Sequence, residues 1–244
     1  MTVFVSPSKR PFLHLLLLLV LSPELVFAAD VELHNFLATY SVRTGGLKVG
    51  KMQRRLTITS GNHYRFESKI KSTGLLSLVH STYIEESSEG ELEVAQLRPQ
   101  RYAYRRISGD QRKEASAVFD WAGSRVTMRT KDQQWEAAVS PGTLDKLVYQ
   151  LALMRDLARG GDDALNYAVA DDGEIKTYEL SRAGVETVEI SGAAVSAQKI
   201  IYARHGTSRK TTLWCAAAYG YLPIQIEYLE RDGGLTTATL TDIQ

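Results

Sequence analysis

Leu222-Pro223-Ile224-Gln225-Ile226-Glu227-Tyr228-Leu229 alternates strictly, with Ile224, Ile226 and Tyr228 on one side and Gln225, Glu227 and Leu229 on the other. Period two over eight residues is the pattern of a half-buried strand. Asp232-Gly233-Gly234 follows with the residues a tight hairpin needs, and a threonine-rich run from Leu235 to Ile243 returns as its partner. Upstream, Leu213-Trp214-Cys215 forms another strand, joined to the first through Ala216-Ala217-Ala218-Tyr219-Gly220-Tyr221. Pro223 cannot donate to a ladder, so it is expected at the first position of its strand or on an edge. The end of the chain is therefore an antiparallel meander.

The same reading extends toward the front. Phe36, Ala38, Tyr40 and Val42 mark a strand ending at Gly45-Gly46, and Leu47, Val49, Leu56 and Ile58 belong to its partner. After Ser60-Gly61-Asn62, Tyr64, Phe66, Ser68 and Ile70 alternate against Arg65, Glu67, Lys69 and Lys71. Residues 75–79 are an apolar run that fits a buried strand and a helical turn equally. Further strands are expected over residues 83–86, 92–97 and 101–107, separated by Ser87-Ser88-Glu89-Gly90 and by Pro99. They continue through Ala117, Phe119 and Trp121, Val126 and Met128, and Trp135 and Ala137. Beyond residue 164, strands are expected over residues 165–169, 176–180, 185–190 and 195–203.

One helix interrupts this series, at about residues 142–158. Ser140 suits its cap, Pro141 its first position, and Leu144, Leu147, Val148, Leu151, Ala152 and Arg155 keep helical spacing until Gly160-Gly161. Its leucine stripe is expected on the open side of the sheet. About fifteen short strands around one helix predict a mainly β protein, a large curled antiparallel sheet or open barrel.

The first residues read as a targeting segment. Lys9-Arg10 is a short basic region, residues 12–21 form an apolar stretch too short for a span of roughly 20 residues, and Val26-Phe27-Ala28 offers small residues for cleavage. Cleavage is expected after Ala28, with Ala29 as the alternative, leaving residues 29–244 as a single β-rich domain with no transmembrane span. A periplasmic location follows from this reading. The whole chain carries 29 Lys and Arg against 28 Asp and Glu. Without Lys9, Arg10 and Glu24 it is formally neutral, which gives no reason to expect a nucleic-acid partner. The one cysteine, Cys215, has no internal disulfide partner and reads as a buried small apolar residue.

Tyr40, Gly46-Leu47-Lys48-Val49-Gly50, Pro99 with Tyr102, Asp145-Lys146-Leu147-Val148-Tyr149-Gln150-Leu151, Trp214-Cys215-Ala216, Leu222-Pro223-Ile224 and Asp232-Gly233 follow one another in order. In these blocks, which span about residues 36–243, the chain resembles the bacterial domain-of-unknown-function family 3108, whose members are exported envelope proteins. The resemblance implies a β-rich exported domain and brings no catalytic residues with it. At the level of fold the chain is also similar, more distantly, to the periplasmic lipoprotein carriers, whose incomplete barrels hold acyl chains beneath helices.

An apolar groove is accordingly the leading candidate site. Phe66, Ile70, Phe119, Trp121, Trp135, Ile224, Ile226 and Tyr228 are expected on the concave side of the sheet, under Leu147 and Leu151 of the helix. A lipid, another amphiphile or a lipidated partner is the occupant expected there. The alternative is that these residues fill a solid core. A basic stretch including Arg101, Arg105 and Arg106 is a second candidate, for an anionic surface or an envelope protein. Its alternative is a solvated strand face that protects an edge. Asp171-Asp172-Gly173-Glu174 lacks the ligand pattern of a calcium loop and reads as a hairpin turn. His80 with Ser81, His205 with Ser208 or Cys215, and the isolated His34 and His63 fit no hydrolase or zinc motif. No catalytic residue, metal or cofactor is assigned, and the expected role is binding or, failing that, structural docking.

Overall fold

The computed structural model describes residues 1, 32–74, 81–93, 96–161, 164–203, 206 and 208–244. The targeting segment, the apolar run at residues 75–79, His80 and His205 lie outside the described residues. The strands are β1 (Phe36–Thr44), β2 (Leu47–Thr59), β3 (His63–Ser72), β4 (Thr82–Leu92), β5 (Leu97–Ser108), β6 (Gln111–Asp120), β7 (Arg125–Thr130), β8 (Gln134–Ala138), β9 (Leu144–Asp145), β10 (Leu165–Asp171), β11 (Glu174–Ile190), β12 (Ala193–Ala203), β13 (Lys210–Ala216), β14 (Leu222–Leu229) and β15 (Leu235–Ile243). Helix α1 (Tyr149–Arg159) stands between β9 and β10, and a single 3-10 turn (Ala217–Tyr219) precedes β14.

Among the described residues, fifteen strands form one sheet, in the order β8-β7-β6-β5-β4-β3-β2-β1-β15-β14-β13-β12-β11-β10-β9. Neighbours in sequence are neighbours in space, as short hairpins require. The exceptions are β8 and β9, consecutive strands at opposite ends of the sheet, and β1 with β15, which pair antiparallel from Ala38 opposite Ile243 to Thr44 opposite Thr236 and so tie the front of the chain to its end. The sheet curls without closing. Its two ends, β8 and β9, approach β11 and β5 respectively, and among the described residues no ladder joins them. At this seam the Trp135 indole of β8 lies against Gly173 in the β10–β11 turn, where a Cβ would come within 2.8 Å of the ring.

Four boundaries differ from the sequence expectation, each for a physical reason. Ser87-Ser88-Glu89-Gly90 is not a turn but the middle of β4. Ser88 points inward and bonds Tyr64 and Asp145, so its polarity is used inside the fold. Pro99 does not separate two strands; it lies within β5 at a bulge opposite Gly90, where the missing N–H is tolerated. Pro223 likewise sits second in β14 beside a bulge, and its carbonyl accepts the Tyr40 hydroxyl at 2.9 Å. β11 runs 17 residues as one strand, bent at a bulge that contains Gly184. The helix begins at Tyr149 rather than near residue 142. Residues 144–145 instead pair in parallel with Val169 and Ala170, which turns the start of the expected helical face into a short strand.

Helix α1 does not lie over the sheet as a lid stripe; it stands inside the curl. Tyr149, Gln150, Leu151, Leu153, Met154, Arg155 and Leu157 are buried, and they point to more than one side of the helix. Tyr149 packs against Tyr167 and Tyr178 of β10 and β11, while Gln150 reaches Arg54 of β2 across the interior. Each fully buried leucine here contributes about 1.5–3 kcal/mol of transfer free energy. Among the described residues, no helix is long and apolar enough to cross a membrane.

Candidate functional site

The register of the front strands stacks inward-facing residues in rows across the sheet. Ile58, Tyr64, Gly90 and Pro99 form one row, and Leu56, Phe66, Ser88, Tyr102 and Ala117 form the next. The third row is polar: Arg54 stands opposite Ser68, Ser68 opposite Glu86, and Glu86 opposite Tyr104. Met52, Ile70 and Ile84 continue beyond it. A polar row between apolar ones is the feature of the interior that core packing alone does not explain.

Two carboxyls face this region. Asp145 is fully buried and accepts from the Leu147 and Val148 N–H groups, both at 2.9 Å, and from the Ser88 hydroxyl. Its side chain thus fixes the turn that leads into α1, the role expected of Ser140. Burial pushes its carboxyl up to about 6, against the pull of those three donors, with the nearby Glu86 adding to the rise. Glu86 is also raised by burial, although the Tyr102 hydroxyl donates to it at 2.9 Å. Behind Asp145, Lys146 contacts Asp171 at 2.8 Å, and Lys176 and Tyr178 meet the same carboxylate at 3.3 and 3.1 Å. Burial works against ionised Asp171, but the two lysines overcome it and hold its carboxyl below the usual range.

Arg54 is the cation of the polar row and is 2 % exposed. One terminal nitrogen donates to Gln150 Oε1, its guanidinium lies 5.9 Å from the Tyr40 ring centroid, and the Tyr228 hydroxyl faces it. Its Nε has no hydrogen-bond partner, and no carboxylate of the described residues stands within ion-pair distance. A buried charge without a contacting ion-pair partner is costly, and Glu86 offsets it only through space. Sequence reasoning passed over Arg54, yet the alternation of Met52, Arg54 and Leu56 along β2 already places it on the buried face.

The expected groove residues fall mainly on this inner surface. Phe66, Phe119, Leu147, Leu151, Ile224 and Ile226 are buried in one continuous core, with Ile70, Trp121, Trp135 and Tyr228 packed at its margin. Helix α1 occupies the space among them. Phe119 stacks on Trp121 at 5.6 Å, and the Trp121 indole donates to the Pro99 carbonyl at 2.7 Å. The expected basic surface is divided. Arg105 points outward and pairs with Glu85 at 3.0 Å, Arg101 stands opposite Glu89, and Arg106 is exposed at the far end of the inner face. On that outer side a shallow cleft of about 530 Å³ crosses the strands, floored by Ser87, Ala103 and Ser116 and edged by Arg65, Arg105 and Arg129. A smaller cleft of about 230 Å³ opens at one end of the curled sheet between Tyr202, Arg209, Lys210, Thr211, Tyr228, Leu229 and Glu230. Cys215 is fully buried, which pushes its thiol far above the ordinary range.

A family model described as "Protein of unknown function (DUF3108)" matches residues 39–241. The fold is similar to the crystal structure of a beta-barrel-like protein of domain of unknown function DUF1849 from Brucella abortus. The TM-score is 0.57 at 8% identity, over 88% of this chain and 98% of that one. At that identity the likeness concerns the fold alone. No curated protein matches the chain.

Proposed function

The chain belongs to the DUF3108 family of proteins of unknown function, and from that premise we propose that it is a non-enzymatic binding protein of the cell envelope, exported to the periplasm, which holds a lipid, another amphiphile or a lipidated partner inside its curled sheet. The observation that carries this reading is the open seam. Fifteen strands wrap around one internal helix, yet β8 and β9 remain unbonded to each other. A seam held by side chains such as Trp135 on Gly173 parts without breaking a ladder of backbone hydrogen bonds. An apolar guest can therefore reach Phe66, Ile224 and Ile226 by displacing α1, a route that a closed barrel does not offer.

Native mass spectrometry of the protein purified from an envelope extract, followed by organic extraction, tests the reading. A defined lipid in stoichiometric amount is the expected result. A bare mass after incubation with lipid would overturn it. That result would favour a second reading, docking of another envelope component on the outer cleft edged by Arg65, Arg105 and Arg129.

A further inference from the structure

We propose that Arg54 is the anchor of an anion site inside the curled sheet, taking the carboxylate or phosphate head of an amphiphile. The inference rests on the amphiphile reading above and names the class of ligand.

Three observations carry it. First, Arg54 is a buried guanidinium with an unpartnered Nε, and its neighbours Tyr40, Tyr149, Gln150, Cys215 and Tyr228 supply no ionised acid. The nearest carboxyl in the row is Glu86, two strands away across Ser68; it feels the Arg54 charge through space but makes its hydrogen bond with Tyr102. Burial raises the surrounding phenols and the thiol, so they stay neutral and leave the site with a positive charge. Second, Tyr228 faces Arg54 and also lines the end cleft, so a single side chain stands between the guanidinium and that opening. Third, the cleft mouth carries Arg209 and Lys210, with Glu230 paired to Arg209 at 3.1 Å, a balance that favours entry of an anion. Its 230 Å³ is below the roughly 300–1,000 Å³ of a site for a drug-sized ligand. It suits a head group rather than a whole amphiphile. The fork of a guanidinium matches such a head in two parallel hydrogen bonds.

The test is titration of the full protein with dodecyl phosphate, dodecyl maltoside and inorganic phosphate, for the wild type, Arg54→Met and Arg54→Lys. Dodecyl phosphate should bind the wild type, weaken by about tenfold or more in Arg54→Met and by less in Arg54→Lys, while dodecyl maltoside responds to neither change. Should Arg54→Met fail to fold, selective weakening of dodecyl phosphate in Arg54→Lys carries the same conclusion. Equal binding of the two dodecyl probes, unchanged by either variant, would overturn the anion site and leave the amphiphile reading standing. Binding of inorganic phosphate as tight as that of dodecyl phosphate, and lost in Arg54→Met, would keep the anion site but make its ligand a free anion. No binding by any probe would overturn both.

Discussion

Asp145 shows how one side chain couples the front sheet to the helix. Its two oxygens hold the turn at Leu147 and Val148 and the Ser88 hydroxyl of β4, and Ser88 in turn meets Tyr64 at 3.0 Å. Because burial lifts its carboxyl from 3.8 to about 6, the folded protein keeps a proton that the unfolded chain has already released between those values. Stability therefore falls as pH rises through that window and levels off above about 6, by about 3 kcal/mol for a shift of this size. Asp145→Asn keeps an acceptor for the two N–H groups and removes the titration. The wild type should lose thermal midpoint relative to this variant between about pH 4 and pH 6.5. A difference that stays flat with pH would mean that Asp145 does not carry the shift. Neither Asp145 nor Arg54 was legible as a site residue in the sequence. Asp145 reads there as a charge near a helix start, and its burial arises only when β4 is placed over it.

At the scale of elements, the sheet depends on close backbone approaches that sequence patterns do not announce. A Cβ on Gly90 would stand 2.2 Å from the Arg98 carbonyl oxygen and 2.8 Å from Pro99 Cα, so the β4–β5 bulge requires glycine there. Gly90→Ala should lower stability by about 1–3 kcal/mol, measured by denaturant unfolding, because backbone rather than a flexible side chain must move. A neutral result would mean that the bulge can open without loss. Strand alternation made β1, β2, β3, β7 and β14 legible, since each has one wet and one dry face. It failed at Ser87 to Gly90, where polar residues face inward and mimic a turn. It failed again at Leu144 and Asp145, whose spacing continues the helical face although parallel pairing with β10 claims them.

For the whole molecule, the pairing of β1 with β15 makes one sheet of the two halves and leaves its free ends at β8 and β9. Hydrogen exchange should report this asymmetry. Amides of β8 and β9 should exchange before those of β1 and β15, because edges open without global unfolding. Equal protection would argue that the seam is as firmly closed as the ladder, which would remove the proposed route to the interior. The mainly β architecture, a helix between two runs of strands and the terminal hairpin were determined by the sequence itself. They rest on local periodicity and turn chemistry, which neighbouring residues specify without reference to the rest of the chain. Tertiary structure alone decided that the helix fills the curl, that the sheet stays open at one seam, and that Arg54, Glu86 and Asp145 gather inside it. Those features depend on strand register and on contacts between residues far apart in the chain, such as Arg54 with Gln150, 96 positions away. A one-residue shift in register would turn the same side chains to solvent, and no local pattern fixes that choice.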